Sequence, residues 1–399
     1  MTIPPTLSTL PALDAAERAH AEQVTSMVRG RIEAAGGWLG FADFMRLVLY
    51  EPGLGYYSSG ATKFGAAGDF VTAPEMSSLF GRCLARQCAD VLAATGRDLL
   101  EFGAGSGALA AVLLEELAEL GTLPDRYRIL EVSADLRERQ RTRLAALPAA
   151  LASRVEWLDR WPAQPITGVV VANEVLDAMP VERFVLRAGV GAIKVIDSLG
   201  VALDSHGALV EATRTAAPAL ANAVRLLERD LPQQLPDNYH GEICLELDGW
   251  LAGLGAALRR GVVLLIDYGL PRSHLYHPDR TAGTLQCHFR HRAHGDPLLN
   301  PGLQDITAWV DFTRVAAAGQ AAGLELLGFV TQAGFLIGCG MENVLAAAHD
   351  ERERLAQAGE ARRLMMPGEM GEAFKVMALG RDYRAPLRGF GWQDLRGSL

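Results

Sequence analysis

The chain has 399 residues, a formal net charge of −9, 49% hydrophobic residues and 21% charged residues. That length fills a large core and accommodates two domains or one domain with insertions, in the composition range of soluble globular proteins. The acidic balance argues against nucleic acid as the main partner, because a surface that tracks phosphates is basic. Five cysteines (83, 88, 244, 287 and 339) form no C-x-x-C pair, which disfavours a disulfide scaffold or a zinc module and fits a reducing compartment. The first seventeen residues carry no Lys or Arg and no apolar core, so neither a signal peptide nor a transit sequence is expected. Val262–Ile266, the longest run of Val, Leu and Ile, is too short to span a bilayer. A cytoplasmic protein without membrane insertion is the expectation.

Residues 1–13 read as a loose tail. Ala15 to Ala35 has the pattern of an amphipathic helix stopped by Gly36-Gly37, and Phe41 to Tyr50 that of a second short helix. The aromatic, glycine-rich stretch Tyr50-Glu-Pro-Gly-Leu-Gly-Tyr-Tyr57 follows and continues to Gly68-Asp69-Phe-Val-Thr72-Ala-Pro74. Pro74-Glu75 then opens a helix to about Ala94, with proline at a first-turn position. From Leu99 onward strands and helices alternate: strand 99–102, helix 108–120, strand 127–132, helix 133–146, a strand near 155–157 and strand 168–173. Val169-Val-Val171 suits burial on both faces. Such alternation predicts a parallel sheet with helices on both sides.

The segment 181–250 departs from that rhythm, with small antiparallel strands near 184–186 and 195–196 and a helix near 216–230, and is expected to be an insertion. Helix 241–259, strand 261–267, a long polar stretch over 270–305, helix 313–322 and strands 324–331 and 373–379 complete the prediction. The expected organisation is an N-terminal helical and lid segment over 1–95, a core over 96–385 carrying the insertion at about 181–250, and a C-terminal tail over 386–399.

The most informative stretch is Leu99-Leu-Glu-Phe-Gly-Ala-Gly-Ser-Gly107, a buried strand ending in an acid and opening into three alternating glycines. Glycines 103, 105 and 107, with Ala104 and Ser106 between them, allow a tight strand-to-helix turn and expose bare backbone to a ligand. The pattern belongs to nucleotide-type cofactors held at the carboxyl end of a first parallel strand. It also satisfies the loose dinucleotide fingerprint, with Glu131 lying 24 residues past Gly107 as a ribose acid, so a nicotinamide-dependent oxidoreductase stays open. Glu101 favours S-adenosyl-L-methionine instead, since a carboxylate there attracts a cationic amino-acid end and repels a pyrophosphate.

Ligands of a doubly wound sheet sit outside the carboxyl ends of its strands. That rule groups the glycine turn with Glu131, with Asn173-Glu174-Val-Leu-Asp177-Ala-Met-Pro180 and with Asp267-Tyr268-Gly269. Glu131 can accept both hydroxyls of a ribose. Asn173 and Glu174 end a strand with no aliphatic reason to do so, Asp177 follows a turn later, and Asp267 is the equivalent acid on a later strand. The loop containing Tyr57, Asp69, Thr72 and Pro74 is a candidate lid that excludes water. His288, His291 and His294 lack a metal-ligand pattern, and Arg290 and Arg292 between them repel a cation. A loop near the substrate cleft is expected there instead of a metal site.

Taken together and in this order, Tyr50–Tyr57, Gly68–Glu75, Glu101–Gly107, Asn173–Pro180 and Asp267–Gly269 resemble the MidA family, whose mitochondrial members are protein arginine methyltransferases of the complex I assembly factor 7 type. Gly283-Thr-Leu, His291-Arg, Asp296-Pro and Val310-Asp-Phe-Thr313 continue the likeness, which spans roughly residues 15–385. The resemblance implies a class I S-adenosylmethionine-dependent methyltransferase fold, Rossmann-like, with added segments around the acceptor site. It also implies symmetric dimethylation of an arginine on a quinone-side subunit of respiratory complex I, a protein partner. By position, Glu101, the glycine turn, Glu131 and Asn173 would bind the cofactor. Glu174, helped by Asp177 or Asp267, would hold the acceptor and take its proton. An assembly chaperone with the same fold is the alternative from another functional class.

Overall fold

Central strands buried on both faces, flanked by partly exposed outer ones, build the unit that comprises Val71–Leu176, Asp248–Pro271 and Val310–Leu399. In this computed structural model, which describes residues 10–59, 72–189, 194–348 and 350–399, that unit holds seven principal strands. They are β1 (Asp98–Phe102), β2 (Arg126–Leu130), β3 (Val155–Leu158), β4 (Ile166–Asn173), β5 (Leu258–Leu270), β6 (Glu325–Thr331) and β7 (Phe374–Arg381). Their spatial order is β3-β2-β1-β4-β5-β7-β6. Strands β1 to β5 pair in parallel, as expected. The closing strands, whose direction the sequence left open, make the sheet mixed, because β7 runs antiparallel to both β5 and β6. A strand buried on both faces is hydrophobic throughout, and its sequence carries no mark of direction.

Helices cover both faces. Ser78–Ala94 and Ala108–Glu119 share one core with Leu99, Val169, Val171, Leu264 and Ala378. Leu379 points to the opposite face from Ala378 and meets Gly319 of helix Phe312–Ala321. The single helix expected from Pro74 is two: Ala73–Met76, then Ser78–Ala94. Ser77 between them is extended (φ −158°, ψ 138°), and its hydroxyl accepts from Leu79 N at 3.0 Å, so a serine N-cap restarts the helix. The helix expected over 241–259 is also corrected, to a strand His240–Ile243 followed by helix Leu247–Ala257.

The other unit comprises Met1–Phe70, Asp177–Leu247 and Arg272–Trp309. Asp14 caps helix Ala15–Ala34 in a reciprocal box with Glu17. Val24, Val28 and Ile32 of that helix, with Phe44 and Val48 of helix Phe41–Tyr50, pack on Val201, Cys287 and Ile306. Leu39–Gly40 pairs with Val195–Leu203, which also pairs with Glu182–Arg187 and Leu209–Thr215; His240–Ile243 joins at Glu182–Arg187. The expected antiparallel strands are therefore present, in one sheet with an N-terminal strand. The polar stretch 270–305 holds further structure, because Gln286–Phe289 pairs with both Arg292–His294 and Asp305–Thr307. These units cut across the chain-order segments expected from sequence. Among the described residues, no helix is long and apolar enough to cross a membrane.

The last residues are docked on the sheet unit. Strand β6 is an edge, and Leu395 N donates to Phe329 O at 2.8 Å while Gln393 Oε1 accepts from Thr331 N at 2.9 Å. Arg388 forks onto Asp90, Gly389 N donates to buried Gln87 at 3.0 Å, and Phe390 meets Phe335 edge-on. Covering an edge strand removes a template for pairing with other chains. Deleting residues 388–399 is expected to cost about 3 kcal/mol or more, through the lost Phe390 ring and the buried Gln87 oxygen left without its donor. Denaturant titration should show the lower midpoint, and light scattering should show concentration-dependent association absent from the full chain.

Candidate functional site

Strand β1 delivers four consecutive buried residues, Leu99 to Phe102, and then the backbone turns left-handed three times. Gly103, Gly105 and Gly107 have φ of 60°, 53° and 82°, values that side chains other than glycine rarely adopt. A Cβ on Gly103 would lie 3.2 Å from Val175 Cγ2, and one on Gly107 would lie 3.4 Å from the Gln140 backbone. Gly103 N donates to Leu130 O and Gly107 N to Ala104 O, and Gly107 then caps helix Ala108–Glu119. Ala104 is buried, and the Ser106 hydroxyl donates to Glu75 Oε1. The turn has the left-handed glycine backbone expected of it.

Two buried acids flank it. Glu101 is 2% exposed and accepts from the Tyr127 hydroxyl at 2.7 Å. Burial pushes its carboxyl up to about 7; the Tyr127 hydrogen bond opposes the rise and the charge of Glu131 adds to it. Glu131, directly after β2, accepts from Ser133 N at 2.9 Å and from Gln140 Nε2 at 3.1 Å. Burial raises its carboxyl above the ordinary value, and those hydrogen bonds hold it back. Sequence reasoning missed Gln140, which is fully buried, donates to Gly105 O at 2.9 Å and accepts from Trp157 Nε1 at 2.9 Å. It also missed Val132, which is 74% exposed beside Glu131 and offers an apolar face there.

Strand β4 ends at Asn173, and Glu174 takes a left-handed backbone (φ 53°), a conformation that costs a non-glycine residue about 1 kcal/mol. Its N–H donates to Ile266 O at 2.9 Å, and its Oε1 accepts from Asn173 Nδ2 at 3.0 Å. Asn173 Oδ1 is buried with no hydrogen-bond partner among the described residues. Asp267, 1% exposed on β5, accepts from Leu176 N through Oδ2 and from Tyr268 N through Oδ1, both at 2.9 Å. Its carboxylate thereby fixes the turn that carries Glu174.

The remaining candidates fall in both units. Asp177 belongs to the other unit, where it is 5% exposed and its carbonyl accepts from Ala308 N at 3.0 Å. In that unit the Tyr57 hydroxyl donates to Asp305 at 2.8 Å, and the Tyr57 ring stacks on Tyr50 at 5.4 Å. Burial, then Asp305, then Tyr50 and Asp177 push the Tyr57 hydroxyl well above its ordinary range. Asp69 lies outside the described residues. Thr72 caps the short helix that contains Pro74, within the sheet unit. The expected loop at 288–294 is corrected to a hairpin, with Arg290 and His291 (φ 47° and 59°) as its two turn residues. Burial, and then His294, lower His288 to about 4.

Residues 83–330 match a family model described as S-adenosyl-L-methionine-dependent methyltransferase. Mouse protein arginine methyltransferase NDUFAF7, mitochondrial, is 30% identical over 91% of this chain and 86% of its own length. Its Drosophila melanogaster homolog is 29% identical over the same shares. A COG1565 superfamily member from Burkholderia thailandensis, solved bound to S-adenosyl-homocysteine, is 44% identical with a TM-score of 0.92, covering 98% of this chain and 100% of that one. The fold is accordingly the class I S-adenosylmethionine-dependent methyltransferase fold expected from the sequence. The cytoplasmic expectation is overturned, because the curated relatives are mitochondrial proteins.

The raised Glu101 carboxyl sets a pH dependence with a defined sign. Its folded value lies above the ordinary 4.5, so the ligand-free protein loses stability as pH rises from about 4.5 towards 7. A cationic amino-acid end beside Glu101 favours the ionised form. Calorimetric titration with S-adenosylhomocysteine should therefore show affinity rising about tenfold from about pH 6 to about pH 8. Glu101→Gln should bind more weakly with a flat profile. A wild-type profile equally flat would detach Glu101 from the ligand.

Proposed function

Since the chain belongs to the S-adenosyl-L-methionine-dependent methyltransferase family, we propose that its methyl acceptor is an arginine side chain of a protein. The names of the mouse and fly relatives support that acceptor. The observation that carries the reading here is Glu174, a carboxylate held on strained backbone at the end of β4, the strand adjacent to the one that opens the glycine turn. Strain of this kind persists where surrounding structure enforces it, and here Asp267 and Asn173 do so.

The residues present fit the cofactor. Glu101, the 103–107 turn and Asn173 would hold its amino-acid end, the buried Asn173 Oδ1 being an acceptor in need of a donor. Glu131 would take the ribose hydroxyls. When bound, the cofactor supplies a methyl group already activated by a positive sulfur. The protein's part is then mainly alignment, which can contribute about 7–11 kcal/mol. Arginine is a cation that must shed a proton as its nitrogen is alkylated, so it needs an anionic partner for the guanidinium and a proton acceptor. Glu174 takes both parts, and Asp267 positions it. Neither the nicotinamide-dependent oxidoreductase nor the assembly-chaperone reading is favoured by membership of this family.

As acceptor protein we propose a quinone-side subunit of respiratory complex I, following the resemblance set out from the sequence. With labelled S-adenosylmethionine and those subunits, the wild type should place label on arginine. Glu174→Gln should lower turnover by about a hundredfold while S-adenosylhomocysteine affinity stays within about twofold. Full turnover in Glu174→Gln would remove Glu174 from the chemistry, and label appearing only on other residue types would remove arginine.

A further inference from the structure

The glycine turn is held by side chains from two directions. On one side, Gln140 of helix Ala134–Ala145 donates to Gly105 O at 2.9 Å. On the other, the Ser106 hydroxyl donates to Glu75 of the short helix Ala73–Met76. The second oxygen of Glu75 faces Arg143 Nη2 at 3.7 Å, and Arg143 lies on the same helix as Gln140. The Glu75 side chain is 13% exposed.

Glu75 is itself fixed. Two residues on, the Ser77 hydroxyl donates to Glu360 at 2.7 Å while capping helix Ser78–Ala94, so the chain around Glu75 is tied to a helix end. No catalytic or cofactor role assigned above uses Glu75. Its carboxylate nevertheless reaches into the one turn whose backbone must stay open to a ligand.

We propose that Glu75 is a positioning residue for the cofactor, acting through the Ser106 hydroxyl to hold the 103–107 turn in its ligand-accepting shape. Three glycines in five residues give that turn more backbone freedom than any other chemistry would allow, and freedom lost on binding weakens affinity. A hydrogen bond to a largely buried carboxylate is a strong one, and made before the ligand arrives it removes part of that cost. The role rests on the methyltransferase reading of the turn, and it adds a residue and a mechanism to that reading.

Titration of the full chain with S-adenosylhomocysteine tests it. Glu75→Gln and Ser106→Ala should each weaken binding about tenfold, and the double variant should be no weaker than the worse single one, since both cut the same tie. The KM for S-adenosylmethionine should rise in step, with kcat at saturation within about twofold, a split that mere loss of fold stability would not produce. Should Glu75→Gln fail to fold, Glu75→Asp decides instead, because it keeps the negative charge but draws it back from Ser106 and should weaken binding in the same way. Wild-type affinity in the variants, or losses that multiply in the double variant, would overturn the role of Glu75. A wild type that does not bind S-adenosylhomocysteine would instead overturn the cofactor reading beneath it.

Discussion

One buried amide ties the cofactor edge together. Gln140 reaches the glycine turn after β1, the acid after β2 and the Trp157 ring on β3 with three hydrogen bonds. Because the side chain is fully buried, each of those bonds replaces water that cannot reach it, and losing any one leaves a buried polar group orphaned. The parallel register beneath it aligns the same edge. Phe102 pairs with Leu130 on one side and with Ala172 on the other, so the ends of β1, β2 and β4 fall level. The Tyr127–Glu101 bond spans β2 and β1 within that register. Geometry at the edge thus comes from neighbouring strands gripping one another and owes little to the loops themselves.

That arrangement is costly for the empty protein. Glu101 and Glu131 are acids out of water, and burial raises both. Glu174 adds a left-handed backbone, and Asn173 an unsatisfied oxygen. Uncompensated polar burial and backbone strain each cost on the order of 1–3 kcal/mol, and they gather here on the carboxyl ends of three adjacent strands. A fold optimised for stability alone would replace them, so their concentration at one edge is itself a mark of function.

Much of this was legible in the sequence. Val169-Val-Val171 announced a central strand, and the alternating glycines announced the turn, because burial on both faces and positive φ each restrict the residue types allowed. Gln140 was not legible. Its helix, Ala-Asp-Leu-Arg-Glu-Arg-Gln-Arg-Thr-Arg-Leu-Ala, is so polar that a glutamine in it looks like one more solvated side chain. The break at Ser77 was hidden for a similar reason, since a serine inside an apolar helical pattern marks a cap only when the backbone before it is extended. The small sheet at 286–307 escaped because strands of three or four residues are too short to show alternation. Arg290-His291 gave no turn signal because it lacks the Gly, Asn or Asp that marks a two-residue hairpin turn.

The roles proposed for Glu174 and Asp267 follow from what their oxygens accept. Asp267 has one backbone amide on each oxygen, and placing a proton on either would compete with a bond that fixes the Glu174 turn. A group in that position is better suited to holding than to exchanging protons. Glu174 has an oxygen bonded to the neutral side-chain amide of Asn173, a partner that can rotate without unravelling the backbone. In the proposed reaction, proton transfer at Glu174 would spare the two amide bonds that Asp267 accepts, whereas at Asp267 it would compete with them. The same logic supports the proposal that the strained residue is the reactive one. The strain is borne by its backbone, which is held through Ile266 O and the Asp267 carboxylate.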